Sequence, residues 1–142
     1  MVWSLNYHPN RNWQLKSRVQ QSFYKFAGEK SKGFLIAQSI SGEAGAYKFS
    51  GSLALFDTDD YENRQYLYEK NVLWAFSIPN FYDQGIRTYL LVQYKVNPRL
   101  TIWGRWAKTN YTNREQIGSG LQEIAGNKMV ETTFQLRYQF NR

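Results

Sequence analysis

The chain of 142 residues contains no cysteine and one histidine, His8. The lack of cysteine excludes disulfide frameworks, thiolate metal sites and cysteine nucleophiles. The lone histidine has no partner for a histidine metal cluster or a serine–histidine pair. No stretch approaches the roughly 18 consecutive apolar residues of a membrane-spanning helix, which excludes a helical membrane protein. Alternating strands, whose average is polar, remain compatible with the mean hydropathy of −0.63.

Charged residues are few in total, and aromatic residues are abundant. Aromatic residues make up 18% of the chain and charged residues only 20%, which argues against disorder. The net charge of +7 is scattered, with no four consecutive Lys or Arg, so we expect no nucleic-acid partner. Residues 1–4 lack the basic start and apolar run of a secretory signal, so we expect a cytoplasmic protein, a mature chain or an excised piece. The length predicts one domain over residues 1–142.

The strongest pattern along the chain is an alternation of apolar and polar residues. In the last segment, even-numbered residues from Val130 to Phe140 are mostly apolar, and odd-numbered residues from Met129 to Gln139 are mostly polar. Because successive strand residues point to opposite faces, this predicts a two-faced strand. Residues 86–96 and 66–78 repeat the pattern, and it is less regular over 99–111, 13–23 and 47–55 and shorter over 34–40 and 2–7.

These segments predict an all-β fold of about eight strands, several longer than the five or six residues usual in soluble domains. Tilted membrane-spanning strands need roughly 9–11 residues, so the length favours an antiparallel up-and-down transmembrane β-barrel, or the C-terminal part of a larger one. Counting eight strands places the turns at 8–12 and 97–99 on opposite rims, although both resemble the short-turn rim. Either one strand is miscounted or one outer loop is short.

The alternation also assigns individual side chains to the two faces of the predicted barrel. An outer-membrane barrel turns its apolar face and its aromatic girdles to lipid and its polar face to the lumen. We expect eight side chains to face lipid, namely Trp74, Phe76, Leu90, Val92, Phe134, Leu136, Tyr138 and Phe140. We expect six to face the lumen, namely Arg87, Lys95, Arg105, Glu131, Gln135 and Arg137.

Five stretches carry a resemblance to a known family. They are LFDTDDY (55–61), YEKNVLWAFSIP (68–79), LTIWGRW (100–106), IGSGL (117–121) and QLRYQF (135–140). Together they resemble the C-terminal barrel region of Bacteroidota outer-membrane proteins, over roughly residues 10–140. The longer members often carry a helix-hairpin-helix segment ahead of the barrel, and that segment is absent here. The resemblance implies a bacterial outer-membrane location and a barrel fold, and it implies no activity.

Candidate chemistry is sparse, so we predict a non-enzymatic barrel with a structural, adhesion or transport role and no cofactor. The acidic stretch 57–62 offers oxygen ligands but not the spacing of a calcium loop, and an exposed loop is the favoured interpretation. Residues 118–120 (GSG) lack the register of a nucleophile turn. Polar-face arginines and glutamates favour an ion-pair network that fills a narrow lumen over a selective channel; these are Arg18, Arg87, Arg105, Arg137, Glu69 and Glu131.

Membrane lipid, and other outer-membrane proteins, are the partners that this interpretation implies. The alternative is a soluble lipocalin-like barrel that binds a small ligand. In that fold the apolar face lines the cavity and the polar face meets water, and alternation alone does not distinguish the two.

Overall fold

Residues 1–26, 28–113, 115–117 and 124–140 are described by the structure, a computed structural model. The alternating segments form long strands, as the sequence predicts, and no α-helix occurs among the described residues. Seven of the strands make one antiparallel sheet in the order β1-β2-β3-β4-β7-β8-β11. Their bounds are β1 Val2–Asn10, β2 Trp13–Phe26, β3 Glu29–Ala44, β4 Tyr47–Thr58, β7 Gln84–Lys95, β8 Leu100–Tyr111 and β11 Lys128–Tyr138.

Four short strands lie in the two longest connections. Between β4 and β7, a 3-10 turn at Tyr61–Asn63 precedes β5 (Gln65–Tyr66), which pairs with β6 (Asn80–Phe81). Between β8 and β11, β9 (Gln116–Ile117) pairs with β10 (Ile124–Ala125). Among the residues that the structure describes, no helix has the length and apolar character needed to cross a membrane.

The predicted strand over 66–78 is wrong, because the chain reverses direction within it. The backbone N–H of Glu69 donates to Ser77 at 3.0 Å and that of Ala75 to Val72 at 3.1 Å, so 65–81 is a hairpin. Trp74 takes a left-handed backbone conformation in the reversal, with φ of 63°. Both halves of the hairpin are extended, so apolar and polar residues keep alternating through the turn. The turn is therefore not visible in the sequence pattern.

Removing this strand from the count resolves the conflict between the rims. The connections β1–β2, β3–β4 and β7–β8 now lie on one rim of the sheet, and all three are short. The opposite rim carries the β2–β3 turn and the long connections 59–83 and 112–127. The expected division into a short-turn rim and a long-loop rim is therefore present, and the miscounted strand was the source of the discrepancy.

Residues 59–83, named here the insert, pack on one face of the sheet, the covered face. Core residues lie between the insert and the sheet in two clusters. In one, Leu67 and Phe81 of the insert meet Leu35 and Phe56, and in the other Val72 packs with buried residues of β7 and β8. The other face, the open face, has no element packed on it among the described residues.

The sheet does not close on itself. No pairing joins β1 to β11 within the described ranges, so both are edge strands. The antiparallel all-β architecture is confirmed. Because the sheet has an odd number of strands, its two edge strands, β1 and β11, run in the same direction.

Candidate functional site

Apolar side chains dominate the open face of the sheet, contrary to the arrangement in a water-soluble sheet. The cross-strand registers place Leu53, Leu90 and Trp106 on this face in adjacent strands, and each is 40–50% exposed. Phe134 and Leu136 continue the surface onto β11 and are 70% and 55% exposed. Soluble monomers rarely expose a continuous apolar surface of this extent, so the open face needs an apolar environment or a partner.

An aromatic row lies on the open face near the short-turn rim. The ring of Tyr47 stacks on Tyr94 with centroids 4.5 Å apart and on Phe49 at 5.9 Å, and Phe49 stacks on Trp13 at 6.4 Å. The row therefore spans β2, β4 and β7. Aromatic rings with a polar atom favour the boundary between apolar and aqueous surroundings.

Charged side chains of the open face collect at the other rim. Each lies within the four strand residues nearest the rim that carries the long loops, and five of the six are lysines. They are Lys25, Lys30, Lys32, Asp57, Lys108 and Lys128. The open face is consequently banded, with an aromatic row, an apolar centre and a lysine rim.

The residues predicted to face lipid fall into three groups in the structure. Leu90, Val92, Phe134, Leu136 and Tyr138 lie on the open face, as the alternation predicts. Their alternation partners on the same strands lie on the covered face.

The assignment to a lipid-facing strand is wrong for Trp74 and Phe76. Both lie on the insert, where they are 83% and 86% exposed. The hairpin reversal removes them from the sheet, so strand alternation no longer decides where they point. Phe140 lies beyond the end of β11, where its ring meets that of Tyr138 edge-on at 4.8 Å.

Four charged residues form an ion-pair cluster between the insert and the covered face. Glu69 of the insert is fully buried and accepts from Arg87 Nε and Nη2, both at 2.9 Å. Arg105 Nη2 also donates to Glu69, and Arg87 Nη1 donates to Glu131 of β11 and to Thr109 Oγ1. Two carboxylates thus neutralise two guanidinium groups, which is what buried charges require.

The predicted lumen-facing residues lie on the covered face, but only three of the six join the cluster. Arg87, Arg105 and Glu131 do so. Gln135 Nε2 donates to the carbonyl of Leu73 in the insert at 3.1 Å, and the guanidinium of Arg137 lies 5.7 Å from the Trp103 ring centroid. Lys95 is exposed near the short-turn rim. Within the described part of the chain, Arg18 and Arg137 have no carboxylate partner.

The acidic stretch 57–62 uses its carboxylates to fix the start of the insert. Asp59 Oδ2 accepts the backbone N–H of Lys32, and Asp60 Oδ1 accepts that of Asn63 at 3.0 Å. A hydrogen bond from the Ser31 hydroxyl, helped by backbone N–H groups, lowers the pKa of Asp60 below its ordinary value, while desolvation opposes the shift. This contribution to stability is therefore present above the ordinary carboxyl pKa and is lost as the pH falls through the lowered one.

The described side chains offer little support for a metal site. No group of three or more His, Asp or Glu residues there is arranged to hold a metal ion. The GSG stretch at 118–120 lies outside the described residues.

Close approach of the insert to β3 gives a direct test of this packing. A Cβ atom on Gly33 would overlap the carbonyl of Asn63 and the side chains of Gln65 and Ser22. We expect Gly33→Ala to cost about 1–3 kcal/mol of unfolding free energy, because backbone as well as side chains must move. Urea titration measures the loss. Gly104→Ala is the control, since nothing lies within 4 Å of its Cβ, and we expect it to change stability by less than about 0.5 kcal/mol. Equal effects would contradict the close packing.

Comparison with known proteins finds no matching family model, no matching curated protein and no matching solved structure. The resemblance to Bacteroidota outer-membrane proteins therefore stays a prediction.

Proposed function

We propose that this chain forms the wall of a non-enzymatic bacterial outer-membrane β-barrel, with its open face in contact with lipid. The observation that carries the proposal is the banding of the open face. An apolar band bordered by aromatic residues is the pattern that outer-membrane barrels present to the bilayer. The lysine rim suits the headgroup level, where a charge costs little.

Strand length supports the same proposal. Val130 and Tyr138 bound the apolar part of β11 and are eight residue steps apart. Eight steps extend roughly 27 Å along a strand. At a tilt of about 40° this spans roughly 21 Å along the bilayer normal, close to the approximately 25 Å apolar band of such barrels.

Closure of the barrel needs more than the seven strands of this sheet. Because β1 and β11 run in the same direction, joining them directly would make a parallel pair, whereas up-and-down barrels are antiparallel throughout. We propose that at least one further strand lies between β1 and β11, which is the arrangement expected for part of a larger barrel.

The position of the insert favours a structural role for the chain rather than a role as a wide open channel. It occupies the covered face from Ser22 of β2 to Gln135 of β11, and the ion-pair cluster fixes it there. The soluble lipocalin-like alternative requires the apolar face to line the ligand cavity. The apolar face here has nothing packed on it among the described residues, which favours the membrane proposal.

Site-directed spin labelling tests the lipid contact directly, because the chain has no native cysteine. In lipid vesicles, nitroxide labels at positions 134 and 136 should be relaxed strongly by lipid-dissolved oxygen. Labels at 135 and 137, which point to the covered face, should be relaxed weakly. Equal values at all four positions, the reverse alternation, or a monodisperse detergent-free monomer would overturn the proposal.

A further inference from the structure

A second polar region of the covered face is not neutralised as the ion-pair cluster is. It is a groove of about 210 Å³ between the insert and the covered face of β2, β3 and β4. Three cations line it, Lys16 and Arg18 from β2 and Lys70 from the insert. We name it the cationic groove.

Among the residues that the structure describes, no carboxylate lines the cationic groove. Among the described residues, Glu43 pairs with Lys48, and Glu131 pairs with Arg87. Glu69 pairs with both Arg87 and Arg105. Lys16, Arg18 and Lys70 take part in none of these ion pairs. The covered face thus carries one neutralised cluster, formed by Arg87, Arg105, Glu69 and Glu131, while Lys16 and Arg18 on β2 have no carboxylate partner among the described residues.

Neutral hydrogen-bonding groups complete the groove. Ser39, Ser41 and Ser50 line it with their hydroxyl-bearing side chains, and Ser50 Oγ lies 3.0 Å from Tyr89 Oη. The guanidinium of Arg18 donates from Nη2 to Gln20 at 3.1 Å, while its buried Nε has no partner among the described residues. Two lysines, an arginine and serine hydroxyls that line one groove are suited to a tetrahedral oxyanion, which accepts several charge-assisted hydrogen bonds at once.

The groove is also accessible from the short-turn rim. A larger cleft of about 720 Å³ shares Gln14, Ser41, Tyr68 and Lys70 with it and reaches the β1–β2 turn at Arg11 and Asn12. Arg11 adds a further positive charge at this mouth. The Glu43–Lys48 ion pair also lines this cleft, so Arg11 and Lys70 leave its charged lining net positive. A net positive cleft attracts anions electrostatically.

We propose that the cationic groove is a binding site for small phosphate-type oxyanions that enter from the short-turn rim. The inference goes beyond the proposed function, because the groove lies on the covered face and its ligand binding does not require lipid on the open face. The spin-label experiment can fail while this site stands, and the reverse also holds.

Isothermal titration of the full chain in non-ionic detergent with inorganic phosphate tests the site, with chloride at matched ionic strength as reference. We expect phosphate to bind and chloride not to produce a comparable isotherm. The double variant Lys16→Gln, Arg18→Gln should weaken phosphate binding at least tenfold. The control double variant Lys25→Gln, Lys32→Gln removes two cations from the open face and should change affinity by less than twofold.

Lys70→Gln provides a second test that does not depend on the folding of the double variant, because Lys70 is exposed on the insert. We expect it to weaken phosphate binding severalfold with an unchanged circular dichroism spectrum. No phosphate binding above the chloride reference, an undiminished affinity in Lys70→Gln, or an equal loss in the open-face control would each overturn the proposal.

Discussion

Replacing Glu69 with glutamine is expected to lower the free energy of unfolding by about 3–5 kcal/mol, because it removes one member of a buried charge cluster. Glu69 is the acceptor for both Arg87 and Arg105, and Arg87 is itself 99% buried. The neutral amide leaves Glu131 as the one carboxylate of the cluster for two guanidinium groups. Reversible urea unfolding in detergent measures the loss.

Glu43→Gln is the matched control for this substitution. Glu43 pairs with Lys48 at 2.6 Å, but both side chains are more than half exposed, so the loss should be at most about 1 kcal/mol. A second comparison isolates the unpaired charge as the cause. The triple variant Glu69→Leu, Arg87→Met, Arg105→Met removes the charges together and should be less destabilised than Glu69→Gln alone. A single variant that loses less than about 1 kcal/mol would show that Glu69 does not hold the insert.

Leu90→Arg is expected to cost about 2–4 kcal/mol in lipid vesicles, because it places a charge in the apolar centre of the open face. Leu90 lies between Gly51 and Trp106 in the cross-strand register, and Leu136→Arg or Phe134→Arg tests the same band on β11. Urea-driven unfolding from vesicles gives the difference. If water covered the open face, the exposed arginine would change stability by about 0.5 kcal/mol or less.

Val130→Arg is the control, because it introduces the same charge on the same face at a different depth. Val130 pairs with Lys108 near the lysine rim, where the cost should fall to about 0–1 kcal/mol. Gln135 is a poorer control, since its amide donates to Leu73 of the insert. Equal costs at positions 90 and 130 would contradict a depth-dependent apolar environment.

Much of the sheet was predictable, because side chains alternate between the two faces of a strand and polarity therefore alternates along the sequence. The faces of β7, β8 and β11 follow the alternation, so Leu90 and Arg87 lie on opposite sides as predicted. The hairpin within the insert was not predictable on this basis. Its reversal near Trp74 contains neither glycine nor proline, and both arms keep the extended alternation.

The candidate sites depend on contacts that the local pattern does not encode. Polar-face alternation predicted that Arg87, Arg105, Glu69 and Glu131 share a surface, but the partner of each depends on how the insert folds back. The difference between Arg87, which is neutralised, and Arg18, which is not, follows from the same fold-back. Sequence reasoning identified the charges and missed their division into a paired and an unpaired region.

The position of Glu69 between β4 and β7 has a consequence for the order of assembly. Its partners lie 18 and 36 residues later in the chain, and Glu131 completes the cluster from the last strand. An insert that reached the covered face before β7 and β8 were in place would bury a carboxylate without a counter-charge. The antiparallel hairpins, which close locally, should therefore form first. The insert should dock last, when Arg87 and Arg105 are in place to pair with the carboxylate of Glu69.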